Sequence, residues 1–138
     1  MIKIENWMIP FVGYKMMTAW PFLFVRDDLM TPPSDIDFNH EEIHGRQQKE
    51  MLVVGAVIGV FLAAMNCGWW SLLACPIYFY WYVLEWIIRL IVTGFSQTKA
   101  YYNISFEQEA YSHEGEMNYY KKRRPFSWLS YLLKQKKL

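Results

Sequence analysis

Residues 51–95 constrain this chain more than any other part of it. "MLVVGAVIGVFLAAM" at 51–65 is apolar throughout, and after Asn66-Cys67-Gly68 a second run, "WWSLLACPIYFYWYVLEWIIRLIVTGF", continues to Phe95. Every Lys and Arg lies outside residues 50–88, and so does every acidic residue except Glu50 and Glu85. A bilayer core takes roughly 20 helical residues. The second run is long enough alone, with Pro76 as a potential kink and Glu85 and Arg89 in its far half. The first reaches that length only if one continuous helix begins near Asn39, and Asn66-Cys67-Gly68 then forms a tight hairpin tip. The expected fold is an all-α membrane protein with two transmembrane helices in a hairpin.

Two long core helices of a soluble protein are the plain alternative. Against them stand the aromatic clusters "WW" and "YFYWYVLEW" and the lack of a polar face on 51–65. A composition of 54% hydrophobic and 19% aromatic residues is also too apolar for an ordinary small soluble domain. Two spans return the chain to its starting side, so both charged ends share one compartment. The positive-inside tendency makes that side cytoplasmic. The start, "MIKIENWMIPFVGYK", lacks the pattern of a cleavable signal, and a net charge of +1 gives no reason to expect a nucleic-acid partner.

At 138 residues the chain reads as a single domain in five segments. Residues 1–37 are an interfacial or β-prone segment, with either a short hairpin or a re-entrant stretch open and "FLFVR" at 22–26 as a candidate strand. Residues 38–66 run into the first span, with Ser34, Asp37 or Asn39 as helix cap. Residues 69–95 form the second span, 98–124 a glutamate-bearing helix, and 125–138 an amphipathic basic tail suited to a membrane surface. Cys67 and Cys75 read as packing residues.

The chemistry is concentrated in "FNHEEIHGRQQKE". His40 and His44 are about 40° apart around a helix, so both imidazoles leave one face one turn apart and can share a tetrahedral metal ion such as zinc. Glu41 follows the first histidine and can take a proton from a water that the metal has acidified. This is the H-E-x-x-H pattern; chance produces it in a chain of this composition less than about once in a hundred. A third ligand has to come from the carboxylates of "SFEQEAYSHEGE".

These two strings, "HEEIH" at 40–44 and "EQEAY" at 107–111, resemble the motifs of membrane zincins of the gluzincin type. The chain is similar in this respect to the CAAX prenyl proteases, the HtpX-like heat-shock membrane proteases and the antirepressor-type sensor peptidases. Those families carry H-E-x-x-H on a membrane-associated helix and a later E-x-x-A-D whose first Glu completes the zinc site. The order of motif, hairpin and glutamate helix agrees, and zincin-like helices are expected at one face of the membrane. The resemblance implies zinc held by His40, His44 and Glu107, with Glu109 as second choice and Glu41 as catalytic base. Tyr111 stands where those families have the Asp that supports a ligand histidine. The strings "NHE-IH-RQQ" and "NISFE-EAY" also resemble small bacterial membrane proteins, which implies a bacterial inner membrane.

Plainer readings stand beside these. Glu107 and Glu109 could form a solvated helix face. Glu85 and Arg89, at i and i+4, are expected to pair with each other or to support the metal. "KKRR" at 121–124 is most simply an anionic-lipid contact, and His113 is a surface histidine or an oxyanion donor. The functional expectation is a zinc-dependent membrane metallopeptidase acting on a peptide or protein. The alternative is a non-catalytic zincin-like subunit of a larger membrane complex, bound to lipid and to partner membrane proteins. A lipid-binding helper acting through the basic tail is a third reading.

Overall fold

The structure, a computed structural model, describes residues 1–10 and 13–134. Three strands open it: β1 (Ile2–Asn6), β2 (Met16–Ala19) and β3 (Phe22–Arg26). They form one sheet in the order β1-β3-β2, with β1 parallel and β2 antiparallel to β3. The period-2 alternation of β3 turns Leu23 and Val25 inward, where they pack with Met16 and against Phe38. β2 and β3 form a hairpin, one of the two readings open for this segment, and β1 adds a strand beside it. The molecule is therefore mostly helical with a small sheet, rather than all-α. "FLFVR" is the central strand, and β2 is an edge.

Helix α1 (Asp35–Ala64) follows. Ser34 caps it: its side chain accepts from the Asp37 amide, and the Asp37 carboxylate accepts from the Ser34 amide. At 1.5 Å per residue its 30 residues make a rod about 45 Å long. Its buried residues, from Asn39 to Gly55, lie in the first two thirds. Beyond them apolar side chains stand outward, with Val57 and Val60 67% and 71% exposed. α1 is long and apolar enough to cross a membrane, and only 22% of its apolar window is buried.

Asn66 and Gly68 adopt positive φ and turn the chain into a 3₁₀ segment, Gly68–Ala74, which folds back on α1. Two glycines permit this approach. A Cβ at Gly55 would overlap the Ala74 carbonyl, and one at Gly59 would sit 3.0 Å from the Ser71 carbonyl oxygen. Helix α2 (Ile77–Val92) starts after Pro76. The expected second span is thus broken: the 3₁₀ segment and α2 reach membrane length only together, and they meet at 58°. Pro76 has no amide hydrogen to carry a helix through the junction.

Three short helices replace the single helix expected over 98–124: α3 (Gln97–Tyr102), α4 (Ser105–His113) and α5 (Tyr119–Lys122). Ser96 caps α3. The start of α4 is capped from a distance, because the buried Glu85 of α2 accepts from the Ser105 amide at 2.9 Å and its hydroxyl at 2.6 Å. Arg89 completes the expected pair with Glu85 at 3.2 Å. The core gathers Met51, Tyr78, Ile104, Phe106 and Trp128. Trp128, on a 3₁₀ turn at Ser127–Tyr131, draws the tail into that core. Residues 135–138 of the expected basic tail lie outside the described residues.

Candidate metal centre

The first four turns of α1 carry the motif on their buried face, and α4 crosses that face with Glu107 in its first turn. His40 Nε2 and His44 Nε2 are 3.0 Å apart. The Glu107 carboxylate straddles the pair, with Oε2 3.5 Å from His40 Nε2 and Oε1 3.5 Å from His44 Nε2. One donor atom from each residue lies within 4.8 Å of the other two. Tetrahedral ligands with bonds of 2.0–2.1 Å to a metal are separated by about 3.3 Å, so the spacing suits a first-row ion.

The proton inventory makes the same point. His40 Nδ1 lies 2.9 Å from Glu114 Oε2, and His44 Nδ1 lies 2.8 Å from Gln47 Oε1. Both partners are acceptors, so each Nδ1 carries a hydrogen and donates it. The two Nε2 atoms face each other and the Glu107 carboxylate, so three groups able to hold a cation converge on one point. Glu107 Oε2 adds an orphan, being buried with no hydrogen-bond partner among the described residues, while Oε1 accepts from the Tyr82 hydroxyl at 2.9 Å. Burial would raise the Glu107 carboxyl, but the imidazoles of His44 and His40 reverse this and hold it far below the usual carboxylate range.

Glu41 shares a cavity of about 740 Å³ with the three ligands. Its Oε2 is also buried and without a partner among the described residues. β2 contributes Met16, Met17 and Thr18 to the wall, α2 contributes Phe79, Tyr82 and Val83, and Tyr101, Tyr102 and Tyr111 also line it. Apart from His40, Glu41, His44 and Glu107, no described residue lining the cavity carries a charge. The sheet is fastened here by Gln48, whose side chain donates to Thr18 O at 2.8 Å and accepts from the Trp20 amide at 2.7 Å.

Of the sequence candidates, His40, His44, Glu107 and Glu41 come together. Glu109 does not reach the ligand cluster. It is fully buried behind it, accepting from Gln47 Nε2 at 2.9 Å and from Arg123 Nε at 2.8 Å. His113 is not in the cavity wall; its ring stacks on Tyr119 and its nitrogens are engaged by Glu116 and Tyr131. Arg123 of "KKRR" points inward, its side chain 2% exposed between Glu109 and Glu50.

Three supporting residues had escaped the motif reading. Glu114 Oε2 holds His40 Nδ1, and Tyr111 packs its ring edge-on to His40. Gln47 holds His44. Asn39, just before the motif, donates to the carbonyls of His113, Glu114 and Glu116, latching the turn that brings Glu114 in. The signal for Glu114 was its spacing, seven residues beyond Glu107, which returns it to the same face of α4 after two turns.

No family model, curated protein or solved structure matches the chain. The functional reading therefore rests on the geometry.

Proposed function

We propose that the chain is a zinc-dependent membrane metallopeptidase whose centre opens at the cytoplasmic face. The observation that carries this reading is the convergence of His40 Nε2, His44 Nε2 and the Glu107 carboxylate, with Glu41 in the same cavity and its buried Oε2 without a hydrogen-bond partner among the described residues. A bound zinc ion would supply Lewis acidity, bringing a water's pKa toward neutrality and polarising a substrate carbonyl. Glu41 accepts the proton of the attacking water as the C–O bond forms, and returns it to the amide nitrogen as the C–N bond breaks. The uncharged walls suit the interior of a polypeptide better than a charged terminus.

α1 crosses the bilayer, and the 3₁₀ segment with α2 returns as a bent second span. The outward apolar side chains of α1 support this, since a soluble core helix would bury them. Both charged ends then lie in the cytoplasm, where the basic residues are.

The deciding experiment is elemental analysis of protein purified without chelator, wild type beside His44→Ala and Glu107→Ala. About one zinc per chain, lost in both variants, is expected. Absence of zinc from the wild type would overturn the reading and leave a non-catalytic subunit as the one to pursue. In a zinc-loaded protein, Glu41→Gln should keep the metal and abolish proteolysis.

A further inference from the structure

We propose that α1 holds an anionic phospholipid where it enters the bilayer: Arg46 and Lys49, joined by Lys121 of α5, take the phosphate, and an acyl chain lies along Val53, Val57 and Val60. The inference rests on the reading of α1 as a span and is independent of the metal.

The cations of the molecule are unevenly satisfied. At the sheet, Lys3 meets Glu5 at 2.7 Å, Lys15 meets Asp37 at 3.3 Å, and Arg26 meets Asp28. Among the described residues, no carboxylate pairs with Arg46, Lys49 or Lys121. Aromatic rings face them instead. Arg46 Cζ lies 5.9 Å and Lys121 Nζ 5.4 Å from the centroid of the same Tyr120 ring, and Lys49 Nζ lies 5.3 Å from that of Trp20. Two like charges drawn to one ring repel each other, and a ring offsets a cation less well than an anion does. Glu50, the next acid along α1, is already taken. Its carboxylate accepts from the Arg123 guanidinium and from the Phe126 amide, the latter at 3.0 Å. The Arg123 contact also holds the end of α5, and with it Lys121, against α1.

Height along the helix selects the ligand. Arg46 and Lys49 precede Met51, where the apolar run begins, by five and two residues, or about 7.5 and 3 Å along the axis. A headgroup layer is about 5–7 Å deep on each side of the hydrocarbon, so both side chains reach it. Beyond them, the helical repeat places Val53, Val57 and Val60 within about 80° of the two cations, and all three are exposed. The 3₁₀ segment packs over Gly55 and Gly59, on the other side of the helix, and leaves this stripe open. Cations at its head and branched apolar side chains along its length match a phosphate ester carrying an acyl chain. Inorganic phosphate would leave the valines uncovered. A zwitterionic headgroup would bring a further cation to a cluster that already holds three.

Native mass spectrometry tests this on delipidated protein in mild detergent, mixed with phosphatidylglycerol or phosphatidylcholine of the same acyl length. One phosphatidylglycerol per chain is expected, bound more than about tenfold more tightly than phosphatidylcholine. A basic residue at an anionic surface contributes about fivefold, so Arg46→Gln with Lys49→Gln should lower the affinity about 25-fold. Lys3→Gln with Lys15→Gln, at cations that already have carboxylates, should leave it unchanged. Should the first pair fail to fold, Lys121→Gln on the exposed face of α5 reads the same site through a fall of about fivefold. Excess inorganic phosphate should not displace the lipid; displacement would make this a site for free anions and overturn the proposal. Equal binding of the two lipids, or undiminished affinity in the variants, would overturn it and leave α1 as a span. A chain that stays in solution without detergent and binds neither lipid would overturn the spanning reading, and the proposal with it.

Discussion

Glu107 has a different task at each of its oxygens. Oε1 is tied by Tyr82 and Oε2 has no hydrogen-bond partner among the described residues, so Tyr82→Phe should weaken metal binding by about tenfold without abolishing it, as outer-sphere losses do. Glu114→Ala, which leaves His40 Nδ1 without its acceptor, should cost about 10- to 100-fold, and competition titration with a zinc chelator checks both. The folded Glu107 carboxyl is held below its ordinary 4.5, so its contribution to metal-free stability is present above that value and lost as pH falls through the folded one. The stability gap between metal-free wild type and Glu107→Gln should accordingly be widest near neutrality and shrink below about pH 4.5; a gap that grows with acid would contradict the sign. The candidate ligands were legible in the sequence as a group because two sit one turn apart and the third falls in a short list of carboxylates. Asn39 and Gln47 were not, since polar side chains at helix positions acquire partners only when α4 crosses α1, and Glu114 showed only in its spacing from Glu107. Local pattern carries no trace of a contact made across 59 to 77 residues.

At the level of elements, apolar length marked α1, which begins at Asp35 rather than near Asn39, and the β-prone run "FLFVR" marked β3. Pairing partners are another matter. β1 joins β3 in parallel across the intervening β2, and nothing in "IKIEN" states that register. The breaks around α4 were hidden for a similar reason: Ser105 begins a new helix because Glu85 waits at its amide, a partner 20 residues earlier on another helix. Glu85→Ala would leave that amide and hydroxyl buried without an acceptor and take the partner from Arg89, costing about 1–3 kcal/mol in thermal unfolding. The glycine pair gives a sharper contrast. Gly55→Ala drives a methyl into the Ala74 backbone and should destabilise by about 1–3 kcal/mol, whereas Gly115→Ala meets nothing within 4 Å and should be close to neutral. Melting the two variants side by side in the same detergent distinguishes local overlap from a general effect of adding methyls.

Across the whole molecule, the centre ties together parts of the chain that have little else in common: α1, the turn after α4, α2 through Tyr82, and the sheet through Gln48. A metal held there binds only the folded chain, so saturation at about a thousand times its dissociation constant should add about 4 kcal/mol, lost on chelation and seen as a fall in melting temperature. The long rod of α1 has a further consequence. Its candidate metal ligands and its apolar stretch are geared to each other with no joint between them. One residue inserted after Glu50 would turn the centre by about 100° relative to the apolar stretch, while four would nearly restore its phase and lift it by about 6 Å. On the proposed reading, the peptide bond that is cut would be chosen by its height above the lipid, a distance set by the pitch of a helix rather than by the side chains flanking the bond.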